Sequence, residues 1–74
     1  MKVRCKLELV YNDTRPAEII YRSVKVDDER FVKSSLDGKR VIAEIETDST
    51  GSLLHTLDDY LACISIAEKI LDKD

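Results

Sequence analysis

The sequence predicts an α+β domain in which a three-stranded antiparallel sheet carries two helices on one face, in a KH-like arrangement. Three observations predict this class: strict alternation of apolar and charged residues near the N-terminus, an Asp-Gly pair between two strand-like runs, and a long C-terminal segment with helical periodicity. With 74 residues, the chain is expected to form a single domain over residues 1–74.

A domain of this size is expected to need a partner. It buries only about 60–65% of the surface that its unfolded chain exposes, so a single core leaves little margin of stability. Two cysteines, Cys5 and Cys63, cannot make a disulfide scaffold, and one histidine, His55, cannot complete a zinc cluster. We therefore expect no metal and no cofactor, and we expect oligomerisation or partner binding instead.

Composition narrows the class of protein further. No apolar run approaches the roughly 20 residues that span a bilayer, and the N-terminus alternates in charge where a signal peptide would be apolar. The chain is therefore expected to be soluble and cytoplasmic. A net charge of -3 argues against a wholly basic nucleic-acid binder, and four Tyr and Phe residues with no Trp disfavour a platform for base stacking.

The first strand is predicted from Val3 to Leu9, because alternate residues there are apolar and the residues between them are charged. Asn12-Asp13-Thr14 then offers helix-capping oxygens, and Pro16 suits a first helical turn, so a helix is predicted from there to about Lys25. Its stripe facing the core comprises Ala17, Ile20, Tyr21 and Val24.

An acidic break, Val26-Asp27-Asp28-Glu29, precedes a predicted hairpin whose strands are Arg30 to Leu36 and Lys39 to Thr47. Between them Asp37-Gly38 predicts a type I′ turn, in which both loop residues have positive φ. A two-residue loop at this position sets Leu36 opposite Lys39 and places the apolar residues of both strands on one face. These residues are Val32, Leu36, Val41, Ala43 and Ile45.

A second helix is predicted from about Ser52 to Leu71, preceded by capping groups at Asp48-Ser49-Thr50. Its predicted core stripe is Leu53, Leu57, Tyr60, Ile64, Ala67 and Leu71, widened on one side by Leu54 and Leu61. Cys63, Ile66 and Ile70 fall outside this stripe, as Ile19 does on the first helix. A domain of two layers has nothing to cover them, so they are expected to form a surface for docking a partner.

A right-handed crossover through the first helix predicts the strand order 1-3-2, with the third strand in the centre. Both outer strands are then edges, and a second copy of the chain is the expected way to complete one of them.

No residue pattern predicts an active site. His55 has Asp58 and Asp59 at i+3 and i+4, a spacing that favours a surface contact, and Cys5 alternates inward as a core thiol. The acids Asp27, Asp28 and Glu29 are expected to be solvated loop charges, and Gly38 and Gly51 belong to no phosphate-binding loop.

The outer face of the sheet carries basic residues. The predicted set is Lys2, Arg4, Lys6, Lys33 and Arg40, with Glu8 and Glu44 as the acids among them. Two interpretations stay open: an ordinary solvated face, and a surface that contacts RNA phosphates without reading sequence.

Several stretches resemble one family: Tyr21-Arg22-Ser23-Val24-Lys25-Val26-Asp27-Asp28-Glu29, the hairpin after it, Ser52-Leu53-Leu54-His55-Thr56-Leu57-Asp58-Asp59-Tyr60-Leu61, and Ile66-Ala67-Glu68-Lys69-Ile70-Leu71. They are similar to the CTAG/LAGE-type family, the smallest core subunit of the KEOPS complex, in its archaeal form. The similarity covers nearly the whole chain. It departs at Leu54-His55, where the family often has Arg.

The resemblance implies a non-catalytic subunit of the machinery that makes threonylcarbamoyl-adenosine in tRNA. It implies a homodimer that docks on the helical N-terminal part of an ATPase-like catalytic subunit and assists tRNA binding. An alternative is a stand-alone RNA-binding module that uses the basic sheet face, although the GXXG loop of KH domains is absent. An acylphosphatase-like enzyme is disfavoured because the chain has no anion-binding loop.

Overall fold

The computed structural model describes residues 1–25 and 31–72. Its elements are β1 (Val3–Val10), α1 (Thr14–Lys25), β2 (Val32–Asp37), β3 (Arg40–Thr47) and α2 (Thr50–Asp72). The strands form one antiparallel sheet in the order β1-β3-β2. The predicted α+β class and strand order are confirmed. The predicted acidic break at residues 26–29, with its three carboxylates, lies outside the described residues.

The core lies between one face of the sheet and the two helices. Central strand β3 contributes Val41, Ala43 and Ile45, which are all buried. The remaining buried apolar residues come from β2 and both helices: Val32, Ala17, Ile20, Val24, Tyr60 and Ile64. The predicted stripe on α1 is confirmed, with Tyr21 half-buried against this cluster.

Side chains cap both helices at their N-termini, as the sequence predicts. The backbone N–H of Thr14 donates to Asp13 Oδ1 over 2.7 Å, and Pro16 lies in the first turn of α1. At α2 the backbone N–H of Ser52 donates to Ser49 Oγ over 3.1 Å. These bonds satisfy N–H groups that have no partner within the helix.

The hairpin register differs from the predicted one by two residues. Leu36 lies opposite Val41 and Asp37 opposite Arg40, so the loop is Gly38-Lys39 and the predicted pairing of Leu36 with Lys39 is wrong. Gly38 has a φ of 62°, whereas Lys39 does not have a positive φ. Glycine at the first loop position is typical of a type II′ turn. Because side chains alternate with a period of two, the shift leaves every residue on its predicted face.

Two tyrosine hydroxyls tie α2 to the two edge strands. Tyr11, which follows β1, donates to Glu68 Oε2 over 2.9 Å. The hydroxyl of Tyr60 lies 3.1 Å from Ser34 Oγ of β2. Because Tyr11 follows one edge strand and Ser34 lies on the other, these two bonds define which flank of the helix faces β1 and which faces β2.

Replacing Gly38 is expected to destabilise the fold. Gly38→Ala forces a side chain into a left-handed backbone conformation at a cost of about 1 kcal/mol, which urea unfolding measures. Gly51→Ala is the matched control, because Gly51 lies in α2 with open space around a Cβ atom and alanine is the better helix former. Gly51→Ala should be neutral or stabilising, and an equal loss in both variants would contradict the turn assignment.

The Tyr11 hydroxyl predicts a pH dependence of stability. Desolvation by burial and the hydrogen bond to Glu68 raise the pKa of Tyr11 above its ordinary value. The unfolded chain ionises this phenol as the pH passes about 10 while the folded chain keeps it neutral. The stabilisation is therefore complete below that pH and is lost as the pH rises towards the folded pKa.

Tyr11→Phe should lower the free energy of unfolding by about 1 kcal/mol at pH 8. The difference from wild type should narrow above about pH 10, where the wild type loses this contribution. Denaturant unfolding at several pH values measures both effects. Tyr21→Phe removes a hydroxyl that bonds to no other described residue, and it should cost less at pH 8. If the difference in free energy of unfolding between wild type and Tyr11→Phe grew with pH, the assigned role of the Tyr11–Glu68 hydrogen bond would be contradicted.

Candidate protein-binding and RNA-binding surfaces

One flank of α2 is apolar and exposed. Cys63, Ile66 and Ile70, at i, i+3 and i+7, form this isoleucine flank, and the two isoleucines are 60% and 62% exposed. The helix packs a different side, with Tyr60 and Ile64, on the sheet, and the described residues provide no further layer to cover the flank. The predicted exposure of these three residues is confirmed.

The isoleucine flank borders a groove between α2, the end of α1 and the start of β2. Cys63 and Ile66 form one wall, and Val24 and Val32 form the other. Phe31 and Tyr60 also line the groove, and His55, Thr56 and Asp59 lie along it on α2. The apolar surface of the flank therefore continues inward to the core.

Ile19 does not join this surface. It is 36% exposed on α1 and does not line the groove, because its position on the helix points away from the Ala17, Ile20 and Val24 stripe. Ile70 continues the isoleucine flank beyond the groove. Of the four residues predicted to dock a partner, the structure therefore brings three onto one helix flank and leaves Ile19 apart.

The opposite flank of α2 corrects one prediction. Leu54 and Leu61 were expected to widen the buried stripe, but they are 60% and 39% exposed. Leu54, Leu61 and Glu68 are spaced seven residues apart and so lie in one row along the helix. Glu68 accepts the hydrogen bond of Tyr11, which follows the end of β1. This leucine flank, Leu54 and Leu61, therefore lies on the β1 side of the helix. In the sequence, the seven-residue spacing from Leu54 and Leu61 to the polar residue Glu68 was the signal that this line of the helix is exposed.

The outer sheet face carries more acid than was predicted. All five predicted basic residues lie there, but Asp37 and Glu46 join Glu8 and Glu44 on the same face. Asp37 does so because the shifted turn makes it the last residue of β2, opposite Arg40. Glu46 lies within the predicted third strand but was left out of the predicted set, and it lies on this face because it alternates with Glu44 and pairs with Arg4. The face thus has mixed charge.

Three of the basic residues on this face are ion-paired. Glu46 contacts Lys2 Nζ at 3.1 Å and Arg4 Nε at 2.8 Å, and these cations lower the pKa of the Glu46 carboxyl, Arg4 most strongly through its hydrogen bond. Arg40 pairs with Asp37 and, at 3.4 Å, with Glu8. Because these pairs are exposed, each contributes little to stability.

Lys6 and Lys33 differ from these three basic residues in their ion pairing. Both lie directly across from Glu44, one on each side of β3, yet neither makes an ion pair with a described residue. They line a shallow hollow on the outer face together with Arg4, Glu44 and Glu46. These two lysines are therefore the cations of this face most available to a phosphate group.

The residues with catalytic or metal-binding chemistry are dispersed. His55 Nε2 lies 3.4 Å from Asp59 Oδ2 on an exposed helix surface, the predicted kind of contact. Cys5 is half-buried against the core, as expected.

Within residues 1–25 and 31–72, no group of three or more His, Cys, Asp or Glu side chains is placed to hold a metal ion. In the same ranges no helix combines the length and apolarity needed to cross a membrane.

Comparison with known proteins places the whole fold in one family. The family model described as transcription factor Pcc1 matches residues 4–72, which include all five elements apart from Val3. An uncharacterized protein of Archaeoglobus fulgidus is 30% identical over 60 residues, covering 81% of this chain and 83% of that protein. Because the family match spans nearly every described residue, from β1 to the end of α2, the chain belongs to the Pcc1 family.

Proposed function

We propose that this chain is the non-catalytic scaffold and dimerisation subunit of the KEOPS complex, in its archaeal form, acting in the cytoplasm. It docks the ATPase-like catalytic subunit through its helices and assists tRNA binding during the synthesis of threonylcarbamoyl-adenosine. Membership of the Pcc1 family supports the KEOPS association. The proposal assigns no catalytic step to this chain.

The exposed isoleucine flank is the observation that carries the docking role. Ile66 and Ile70 present two large branched side chains on neighbouring turns, and Cys63 and Ile66 open into the groove. An apolar helix of a partner can bury these residues by packing alongside α2. Asp59, beside Cys63, would favour a partner with a basic residue at the edge of its apolar stripe.

Ile19 lies on the other helix and belongs to a second, smaller contact in this proposal. It is less than half as exposed as a surface residue such as Met1, and its exposed neighbours on α1 are polar. A partner that covers both helices would reach it, whereas a partner confined to α2 would not. We therefore assign the main docking role to Ile66 and Ile70.

The sheet face supports an auxiliary role in tRNA binding. Lys6 and Lys33 are available for phosphate contacts, while Lys2, Arg4 and Arg40 must first exchange their carboxylate partners. Four acids on the same face oppose an RNA backbone. The chain is therefore expected to add a few contacts to an RNA site that other subunits dominate.

The alternative is a stand-alone RNA-binding module that uses the same basic residues, Lys2, Arg4, Lys6, Lys33 and Arg40. The hollow lined by Arg4, Lys6 and Lys33 favours it. The interleaved carboxylates count against it, because a module that binds RNA alone needs a surface of one sign. The two functions differ in the tRNA affinity of the isolated chain.

Charged substitutions on the isoleucine flank are expected to abolish docking. Co-purification with the KEOPS catalytic subunit should be lost in Ile66→Asp, Ile70→Asp, because each aspartate would be desolvated in the interface. Since both residues are more than half exposed, the folded chain should persist by circular dichroism. Ser65→Asp is the control for one added carboxylate, because it places that charge at an exposed position of the same helix outside the isoleucine flank. Retained binding by the double variant would exclude this docking face.

Salt dependence separates the two RNA roles. The isolated chain should bind tRNA weakly, with log K falling against log salt with a slope of about -2 per chain, as expected for two phosphate contacts. Lys33→Ala should reduce the slope by about 1, whereas Lys69→Ala, on the exposed side of α2, should leave it unchanged. A flat response would remove the sheet face from RNA binding. Tight binding with a slope of about -5 would favour the stand-alone module.

A further inference from the structure

We infer that the hollow on the outer sheet face binds one unpaired RNA nucleotide whose base carries an amino group. Phe31 stacks on the base, and Glu44 accepts a hydrogen bond from the amino group. Lys6 and Lys33 bind the adjoining phosphates. The inference rests on the proposed role in tRNA binding, and it adds the form of the RNA and the bases that the site accepts.

The residues of the hollow form two neighbouring rows across the three strands. Glu46 lies opposite Arg4 of β1, and its backbone N–H donates to the Phe31 carbonyl over 3.0 Å. This bond extends the β2–β3 register to Phe31, one residue before β2 begins. The next row comprises Lys6, Glu44 and Lys33. Because residues two apart on a strand share a face, both rows direct their side chains to the outer face.

The dimensions of these two rows suit one nucleotide. Adjacent strands are about 4.8 Å apart and alternate residues of a strand about 7 Å apart, so the rows cover roughly 10 Å by 7 Å. The hollow has a volume of about 610 Å³, which is in the range of pockets that hold small ligands. A nucleotide carries its base and its phosphate on different sides of the sugar. An aromatic ring and an ammonium group in adjacent rows can therefore bind both parts.

Phe31 supplies the aromatic ring of the hollow. It is half-buried and packs against the core cluster, which limits the conformations of its side chain. A ring held in this way can stack on a base with little further loss of side-chain entropy. The other aromatic residues of the chain are three tyrosines, none of which lines the hollow. The site therefore accommodates a single stacked base and not a run of bases.

Glu44 is the hydrogen-bond acceptor that the base meets. The other carboxylates of this face, Glu8, Asp37 and Glu46, all have a cationic partner. Glu44 has none among the residues that the structure describes, although it lies between Lys6 and Lys33 on the central strand. Its exposed carboxylate therefore keeps its full capacity to accept hydrogen bonds.

A carboxylate between two lysines favours a nucleotide over a phosphate alone. Phosphate oxygens only accept hydrogen bonds, so Glu44 repels them. Adenine, cytosine and guanine carry amino groups from which Glu44 can accept, whereas uracil presents carbonyl oxygens in their place. These groups lie on the Watson–Crick edge, which is accessible only where the RNA is unpaired. The mixed charge of the hollow therefore selects a single-stranded segment and disfavours uracil.

Oligonucleotide affinity tests the base preference. At low salt, fluorescence anisotropy should show the purified chain binding oligo(A) and oligo(C) at least about fivefold more tightly than oligo(U) of equal length. The reason is that uracil offers no amino group to Glu44. Because all three oligonucleotides carry the same phosphates, contacts to the lysines alone would give equal affinities.

Glu44→Gln should remove this preference. The amide can donate to a carbonyl oxygen of uracil as well as accept from an amino group, so the ratio of the affinities for oligo(A) and oligo(U) should fall towards one. Glu8→Gln is the matched control, because it removes the same charge from the outer face at a position outside the hollow. It should leave the ratio unchanged, whatever it does to the overall affinity.

Phe31→Leu tests the stacked base. It should weaken binding of oligo(A) at least about fivefold, and Phe31→Tyr, which keeps the ring, should retain most of the affinity. An RNA duplex should bind all three chains equally, because its paired bases cannot stack on the ring. Ile42→Ala is the control for lost apolar surface, since Ile42 lies on the same face outside the hollow. Circular dichroism verifies that each variant is folded.

The outcomes separate this site from the proposed function. A chain that binds neither tRNA nor any oligonucleotide overturns the tRNA role together with this site. Salt-dependent tRNA binding with equal affinities for oligo(A) and oligo(U) overturns the nucleotide site and leaves the phosphate contacts intact. A preference that survives Glu44→Gln also overturns the site. If Phe31→Leu fails to fold, the comparison of Glu44→Gln with Glu8→Gln still decides, because both glutamates are exposed.

Discussion

The central strand β3 is the element on which the other contacts depend. It pairs with β1 along one side and with β2 along the other, and its inner-face side chains, Val41, Ala43, Ile45 and Thr47, are 0–3% exposed. Ile45, for example, lies between Cys5 and Val32 in the register. In a sheet of three strands only one strand can be enclosed in this way. The two neighbours are necessarily edges, and the apolar surface left at these edges is where association with other chains becomes favourable.

The same limit applies to the helix layer. α2 has 23 residues, and only Tyr60 and Ile64 among them are buried. Its two exposed apolar flanks have different surroundings, because the isoleucine flank adjoins the groove beside α1 and β2 while the leucine flank lies towards β1. Because the two flanks are separate, a partner that covers one of them would leave the other exposed. This is compatible with the proposed scaffold role, which needs more than one contact surface on a two-layer domain.

Electrostatics on the outer face oppose a simple binding role for the sheet. Lys2, Arg4 and Arg40 have carboxylate partners within the same face, so their charges are largely compensated before any ligand approaches. Lys6 and Lys33 are not compensated in this way, and they flank Glu44 symmetrically. Their equivalence ends at the edges, since Lys6 lies on the longer β1 and Lys33 on the shorter β2.

Local patterns in the sequence were sufficient to predict the secondary-structure elements, their order and the buried stripe of α1. A period of two or of 3.6 residues is a property of the backbone itself, and a capping oxygen such as that of Asp13 or Ser49 acts within one turn.

The exposure of Ile66 and Ile70 could also be predicted, because it follows from their angle on one helix. The exposure of Leu54 and Leu61 could not, because it depends on whether another layer lies beyond β1. The hairpin register, which made Asp37 face Arg40, and the pairing of β3 with β1, which brought Glu46 beside Arg4, also needed the structure. These features were decided by the tertiary structure because each depends on which group lies across a strand or beyond an edge, and no periodicity within a single segment carries that information.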